Sequence, residues 1–303
     1  MRAININSNI TAFYYGADAE APSLNSDYTP SQDDWVYGAC FDLGVACYAL
    51  HNNDSCVIFD TLCSPEQAKE VKSYLELNLG ITNFTVVVSH WHLHHIGGNY
   101  LYKDCNIIGT RKTRQILLEQ KEKIETGTSS WGPPAIEHLL APNIIFDNEL
   151  SLFLDDLEVR LYRVNIHSED SLCAYIPKYK ALLAGDMLED PIPFITDPQT
   201  IVQQVENYDL LRKMDIDVIL PNHCRLSTLS QGGYAKDLIE SSAFYLHTLN
   251  QMLCITPDAA IPNLKLFMQN YFSANTISYW PAYERVHQKN IEKIKNSCLP
   301  KQL

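Results

Sequence analysis

The sequence contains no long uninterrupted apolar segment. Nowhere in its 303 residues do about 18 uncharged apolar residues follow one another, which is the length that a membrane-spanning helix requires. The first twenty residues, MRAININSNITAFYYGADAE, also lack the apolar core of a signal peptide. We therefore expect no membrane association and a cytoplasmic location.

Positive charge is scarce. Lys and Arg number 23 against 36 Asp and Glu, which gives a formal net charge of −13 at pH 7. The short basic stretches at 102–114 and 289–301 have the pattern of solvated helix faces. Because nucleic-acid binding depends on clustered Lys and Arg side chains that release counterions, this balance argues against a nucleic-acid partner. A small molecule is the expected partner, and the sequence leaves a homo-oligomer open.

Paired cysteines are also missing. The nine cysteines are an odd number without a CxxC pair, and several lie in strand-like apolar runs. This distribution predicts reduced thiols that pack as small apolar groups rather than a disulfide framework. Cys224 is a special case, because it directly follows a candidate ligand, His223.

The order of apolar runs and turn residues predicts a mixed α/β chain. With 46% apolar and 19% charged residues, the chain can bury the core of one large domain. We predict a catalytic unit at 1–232 and a helical cap of the same domain at 233–303, where only helical patterns occur. Predicted strands are 44–51, 55–60, 84–88, 106–109, four runs within 150–184, and 217–220; predicted helices are Ser64 to Gly80, 111–125 and a segment around 202–211.

Four histidines lie close together where a predicted strand ends. The apolar run NFTVVV is followed by SHWHLHHIGGN, residues 89–99, which contains His90, His92, His94 and His95. Imidazole is the commonest metal ligand in proteins, so this spacing indicates a metal site. The alternative is a surface His-rich tract with incidental metal affinity.

Three further candidate ligands follow apolar runs in the same way. LYRVNIH ends at His167, ALLAGD ends at Asp186, and DVILPNH ends at His223. A single histidine after a strand is usually a satisfied polar group. Loops at the carboxyl ends of strands are nevertheless where α/β sheets place their sites, so the repetition favours one shared metal centre.

Taken in order, these motifs resemble those of the metallo-β-lactamase fold superfamily of metal-dependent hydrolases. The resemblance covers roughly residues 40–225, and Asp60 in VIFDTL matches the early aspartate that supports the ligands in that family. It implies a four-layer αββα sandwich with metals at one edge, to which the helical pattern adds a C-terminal extension.

The resemblance also implies a ligand set. His90, His92 and His167 would hold a first metal, His95 and His223 a second, and Asp186 would bridge the two. His94 replaces the aspartate that binds the second metal in relatives and is often proposed to move a proton to the leaving group. His94 and Asp186 are therefore the expected catalytic residues.

The exchange of a carboxylate for His94 removes one negative charge from the predicted centre. That loss predicts a second position made of nitrogen ligands plus Asp186, holding zinc or iron, or a second position that fills only partly. A further alternative leaves His94 as a bystander turned to solvent.

The function that the resemblance implies is metal-dependent hydrolysis with one or two Zn²⁺ per chain, iron or manganese being possible. A metal-bound water, its pKa lowered toward neutrality, would attack an ester, thioester, lactone, lactam or phosphoester bond of a small molecule. The alternatives are an iron-dependent redox enzyme of the same fold and a non-catalytic metal or ligand binder.

Large apolar residues in Pro-rich loops predict the walls of the site. We expect Trp131 and Phe194 to line it. The C-terminal helices should cover the site, with most of the aromatic residues in 271–283 packed in a helical core.

Overall fold

The computed structural model describes residues 1–16 and 34–298. The remaining residues, which include the end of the predicted cap, lie outside the described part. Two β-sheets pack face to face with helices on both outer surfaces, which confirms the predicted αββα sandwich. The strands are β1 Arg2–Asn7, β2 Ile10–Tyr15, β3 Val45–Asn52, β4 Ser55–Phe59, β5 Asn83–Val87, β6 Asn106–Thr110, β7 Ile144–Phe146, β8 Glu149–Leu154, β9 Leu157–Arg163, β10 Leu172–Ile176, β11 Ala181–Gly185 and β12 Val218–Pro221.

The helices occupy the segments between and after these strands. They are α1 Pro65–Leu79, α2 Leu93–Ile96, α3 Arg111–Glu125, α4 Ile201–Lys213, α5 Leu226–Leu229, α6 Asp237–Ile255, α7 Leu264–Phe267, α8 Gln269–Ser273 and α9 Tyr283–Cys298. As predicted, α1 begins after Ser64, whose side chain accepts a hydrogen bond from the backbone N–H of Gln67, and ends at Gly80 in the left-handed conformation.

The first sheet contains β1 to β7 in sequence order. Its first four strands are antiparallel neighbours, and β4 to β7 are parallel to one another. Parallel neighbours need crossover connections, which α1 and α3 supply. The second sheet has the order β12-β11-β10-β9-β8, and α4 connects its parallel pair, β11 and β12.

Both faces of the first sheet are covered. Along β2, Ala12 and Tyr14 pack between the two sheets, whereas Phe13 and Tyr15 pack with the residues of the outer helices. All six residues of this strand are buried. A strand covered on both faces reads as a continuous apolar run, which is why its alternation is hidden in the sequence.

Three strands were not predicted from the sequence. The strands β1 and β7 lie at the two edges of the first sheet, where β1 carries the polar sequence RAININ and β7 has only three residues. Edge strands bury little apolar surface, so their patterns are weak. The third, β2, is part of the same N-terminal hairpin as β1.

The C-terminal helices have two roles. Helix α6 packs on α4 and so widens the outer helical layer, while α9 packs on α6 and reaches the site described below. The aromatic rings of this region lie mainly in the core, as expected: Tyr283 is buried, and Tyr271, Phe272 and Trp280 pack against the core residues.

The described residues bear on two expectations from the sequence, which concern membrane-spanning helices and disulfide bonds. None of the described helices has the length and apolar character needed to cross a membrane. All nine cysteines are free thiols, and Cys224 is fully buried.

Two glycines allow the histidine loop to pack closely on the segment that precedes α1. The backbone N–H of Gly97 donates to Leu62 O, and Thr61 N–H donates to His95 O. A Cβ atom on Gly97 would overlap the carbonyl group of Cys63, and one on Gly98 would overlap Ala68. The GG pair in HHIGGN therefore has a steric cause.

We predict that Gly97→Ala lowers the free energy of unfolding by about 1–3 kcal/mol, because backbone atoms must move to admit the methyl group. Urea unfolding followed by circular dichroism measures this change. Gly80→Ala is the matched control, since its Cβ meets no neighbour and its cost, about 1–2 kcal/mol, comes from a left-handed φ of 67°. Only Gly97→Ala should also weaken metal retention by the adjacent histidines; a fully stable Gly97→Ala protein would contradict the packing argument.

Candidate metal centre

The loop after β5 and the short helix α2 position four imidazoles at one edge of the sandwich. His90 and His92 precede α2, and His94 and His95 lie within it. The ends of β11 and β12 bring Asp186 and His223 to the same edge, and His167 follows β9. Each of these seven residues is at most 4% exposed.

The carboxylate oxygen Oδ2 of Asp186 lies at the centre of the cluster. Five imidazole Nε2 atoms surround it at 3.0 Å (His95), 3.1 Å (His94), 3.7 Å (His90), 3.7 Å (His223) and 3.8 Å (His167). The sixth imidazole, His92, approaches through its Nδ1, which lies 3.2 Å from Nε2 of His167. The structure thus brings all seven predicted ligands together.

The potential ligand atoms fall into two groups that share Asp186. The atoms of His90, His92, His167 and Asp186 lie within 4.8 Å of one another, and so do those of His94, Asp186 and His223. Nitrogen and carboxylate ligands in this number suit transition metals such as zinc or iron. That each residue binds a metal stays a prediction.

Hydrogen bonds outside the cluster fix the orientation of four imidazoles. Nδ1 of His223 donates to Gly44 O at 2.6 Å, Nδ1 of His167 donates to Phe194 O at 3.1 Å, and Nδ1 of His95 donates to Asp60 at 2.8 Å. Nδ1 of His90 donates to Ser89 Oγ at 3.0 Å. In a neutral imidazole each of these bonds leaves a lone pair on Nε2, the atom that faces Asp186, as a metal ligand requires.

Several buried polar atoms of the cluster have no hydrogen-bond partner among the described residues. They include Nε2 of His90 and Oδ1 of Asp186. Buried polar atoms are rarely left unpaired, and a bound cation would satisfy both. The residues present therefore fit a metal centre.

Two residues of the site, the supporting Asp60 and the candidate ligand His167, hold strained backbone conformations. Asp60 has φ 67° and His167 has φ 68°, in the left-handed region that residues other than glycine rarely adopt. Such strain is concentrated at functional sites. Asp60 was predicted as a supporting group from its motif, but its partners Ser89 and Asn222 were not, because only the tertiary fold brings Asn222 to it.

Burial and charge make the imidazoles differ in protonation. Burial lowers the pKa of His94 to about 3 and that of His167 to about 4. Burial also opposes protonation of His95, but the carboxylates of Asp186 and Asp60 outweigh it and raise the pKa of His95 to about 10. In the metal-free protein a proton on His95 therefore compensates the charge of Asp186.

His94 faces the cluster. Its Nε2 lies 3.1 Å from Asp186 Oδ2 and 3.2 Å from Nε2 of His223, so the alternative of a solvent-facing bystander does not match its position. No carboxylate occupies its place, and six imidazoles share the single carboxylate of Asp186.

The cluster forms the floor of a cavity of about 690 Å³. Trp131 and Phe194 line it, as predicted, and the Trp131 ring centroid lies 5.0 Å from that of His92. The side chains of Trp35 and Trp91 also line the cavity. Helix α9 also lines the cavity, through Arg285, Val286, Lys289 and Lys293, and this part of the wall was not predicted from the sequence.

Comparisons with known proteins agree with the fold. The family model of the metallo-beta-lactamase superfamily matches residues 41–223. Similar solved structures include a metallo-beta-lactamase from Pontibacter korlensis (TM-score 0.59, 15% identity, 81% of this chain and 98% of that chain), DIM-1 (0.59, 17%, 82% and 96%) and TMB-1 (0.60, 14%, 82% and 97%). No curated protein matches the sequence.

The matched segment covers more than half of the sequence and contains every residue of the histidine and aspartate cluster. The chain belongs to the metallo-beta-lactamase superfamily. The identities to solved structures are low, so these neighbours show the shared fold alone.

We predict that His94→Asp increases metal occupancy of the second group and slows its loss to a chelator, because it restores the missing negative charge. Metal content by atomic emission, before and after timed dialysis against EDTA, measures both effects. His94→Asn is the matched control, since asparagine has the shape of aspartate without its negative charge. Equal occupancy and retention in wild type and His94→Asp would contradict the assignment of His94 as a ligand.

Metal binding should compete with the proton on His95. Because the pKa of His95 is about 10 in the metal-free protein, this proton is bound throughout the range pH 6–9 and must leave when a cation binds. The apparent Zn²⁺ affinity should therefore rise about tenfold per pH unit across that range. Calorimetric titration of stripped protein, in buffers of different ionisation enthalpy, counts the released protons; a pH-independent affinity would contradict this account.

Proposed function

We propose that this protein is a metal-dependent hydrolase of a small-molecule substrate, with a binuclear zinc centre. The observation that carries the proposal is the set of five imidazole Nε2 atoms within 3.8 Å of Asp186 Oδ2, with the His92 imidazole beside them, at the floor of a cavity. The superfamily includes many metal-dependent hydrolases, and the full ligand cluster lies in the matched segment.

The residues that would hold the metals are those of the two ligand groups together with His95, whose Nε2 lies 3.0 Å from Asp186 Oδ2. His90, His92 and His167 would hold one ion; His94, His95 and His223 would hold the other; Asp186 would contact both. A divalent metal lowers the pKa of a bound water and polarises an oxygen of the substrate. A zinc preference fits nitrogen ligands, although a centre with only one carboxylate also suits iron.

The other residues of the site orient these ligands and restrict water. Asp60 holds the His95 ring with its Nε2 toward Asp186, and Phe194 O does the same for His167. The aromatic wall formed by Trp91 and Trp131 packs beside His92 and limits the access of solvent to the reacting bond.

Glu189 completes the inner wall without adding a second bridging carboxylate. Its Oε1 accepts a hydrogen bond from Phe194 N–H at 2.9 Å, and its Oε2 accepts one from the Tyr283 hydroxyl at 3.2 Å. Burial, with the neighbouring charge of Asp186, raises the pKa of Glu189 well above its usual range. Glu189 thus anchors the Phe194 loop to α9.

The volume of the cavity and the negative net charge of the protein support a small substrate. A cavity of about 690 Å³ is in the range that binds metabolites and drug-sized molecules. DIM-1 was solved after exposure to ceftazidime, and it shares only the fold with this chain. We therefore include lactams among several bond types and give them no preference.

The test is hydrolysis by protein of measured metal content. Ester, thioester, lactone, lactam and phosphodiester substrates are offered in parallel, and we expect turnover of at least one. The double variant His90→Ala/His92→Ala should lose the metal and at least about a thousandfold in kcat/KM, because it removes two nitrogen ligands from one group.

His247→Ala is the matched control, since His247 is an exposed histidine of α6 outside the site. It should keep both metal and turnover. A double variant with full metal content would remove the basis of the proposal, and a metal-loaded protein that hydrolyses none of the substrates would favour a binder. Isolation with iron and oxygen-dependent turnover would favour the redox alternative.

A further inference from the structure

One wall of the cavity, formed by α9, carries a row of basic side chains. Arg285, Lys289 and Lys293 are four residues apart on α9, so they occupy one face of the helix, and all three line the cavity. Two positive charges four residues apart destabilise a helix slightly. In a chain of net charge −13, their placement inside a cavity points to a ligand.

The three cations differ in what already neutralises them. Arg285 forms an ion pair with Asp42 at 2.6 Å, and the Lys293 ammonium donates to Ile195 O at 2.8 Å. Lys289 is exposed and forms no hydrogen bond or ion pair with another described residue. Its charge is therefore available to a ligand in the cavity.

The acidic side chains among the described lining residues form their hydrogen bonds with groups other than Lys289. Asp186 is surrounded by imidazoles, Glu189 accepts bonds from Phe194 and Tyr283, and Asp34 accepts one from the backbone N–H of Tyr37. The carboxylate of Asp197 favours the charged form of Lys293, and Asp197 is not among the residues that line the cavity.

The basic face is fixed relative to the metal cluster. Asn290 of α9 accepts from Ile195 N–H at 2.9 Å and donates to Pro193 O at 2.9 Å. The Lys293 ammonium lies 4.1 Å from the centre of the Phe194 ring, and Phe194 O accepts the hydrogen bond of the ligand His167. A short chain of contacts thus sets the distance between the cations and the ligands.

We propose that the substrate is an amphipathic anion: its scissile bond lies at the histidine cluster, its apolar part lies against the tryptophan wall, and its anionic group binds Lys289 with support from Lys293. The anionic group is a carboxylate, phosphate or sulfonate, which share the chemistry that an ammonium recognises. This inference rests on the proposed hydrolytic function and specifies its substrate class.

The test compares two esters that differ only in charge. Mono-(4-nitrophenyl) glutarate carries a terminal carboxylate where 4-nitrophenyl pentanoate carries a methyl group. The ratio of kcat/KM for the anionic over the neutral ester should exceed one in the wild type. It should fall by about tenfold in Lys289→Gln, further in Lys289→Gln/Lys293→Gln, and below one in Lys289→Glu.

Lys295→Gln is the matched control, because it removes the same charge from the same helix outside the cavity. Its ratio should equal that of the wild type. If both esters are hydrolysed and the ratio does not change in any Lys289 variant, the inference is wrong and the hydrolytic function stands.

A binding measurement keeps the inference testable if neither ester is hydrolysed, an outcome that counts against hydrolysis of esters by this site. Naphthalene-2-sulfonate and the neutral N,N-dimethylnaphthalene-2-sulfonamide, which has no N–H proton to lose to a metal, are titrated against the metal-loaded protein, with quenching of tryptophan fluorescence as the signal. Three cavity residues, Trp35, Trp91 and Trp131, report binding. Tighter binding of the sulfonate that Lys289→Gln abolishes supports the inference; equal affinities of the two probes overturn it.

Discussion

The carboxylate of Asp60 joins the two sheets at the point where the site is built. It lies directly after β4 and accepts hydrogen bonds from Ser89 N–H, Ser89 Oγ and Asn222 Nδ2, each at 2.7 Å, and from His95 Nδ1 at 2.8 Å. Ser89 follows β5 of the first sheet, and Asn222 follows β12 of the second. A buried carboxylate is costly unless its oxygens are hydrogen-bonded, so the strand ends and the His95 ring must adopt this arrangement together.

Much of the fold and of the centre could be predicted because both depend on strand ends. Apolar runs followed by a polar ligand are visible in the sequence, and His167, Asp186 and His223 each follow one. The edges of the first sheet could not be predicted in the same way, because β1 and β7 bury little apolar surface. Local patterns identified the central strands better than the edge strands, although the fully buried β2 was also missed.

The hydrogen bonds that orient the ligands could not be predicted from the sequence for a different reason. Asn222 and Asp60 are 162 residues apart in the sequence, and Phe194 O and His167 Nδ1 meet only when the loop before α4 folds over the site. The cavity wall from α9 is a similar case. Its helical pattern was visible, but the face that meets the cavity depends on the Asn290 contacts with Pro193 and Ile195.

The family pattern ends at residue 223, and α9 begins sixty residues later, at Tyr283. The groups expected to perform the reaction and the groups expected to select the substrate therefore lie on separate lengths of chain. Substitutions on the cavity face of α9 can alter which molecules enter while every ligand of the cluster stays in place. We therefore expect specificity to change through substitutions in this one helix while the ligand cluster is kept.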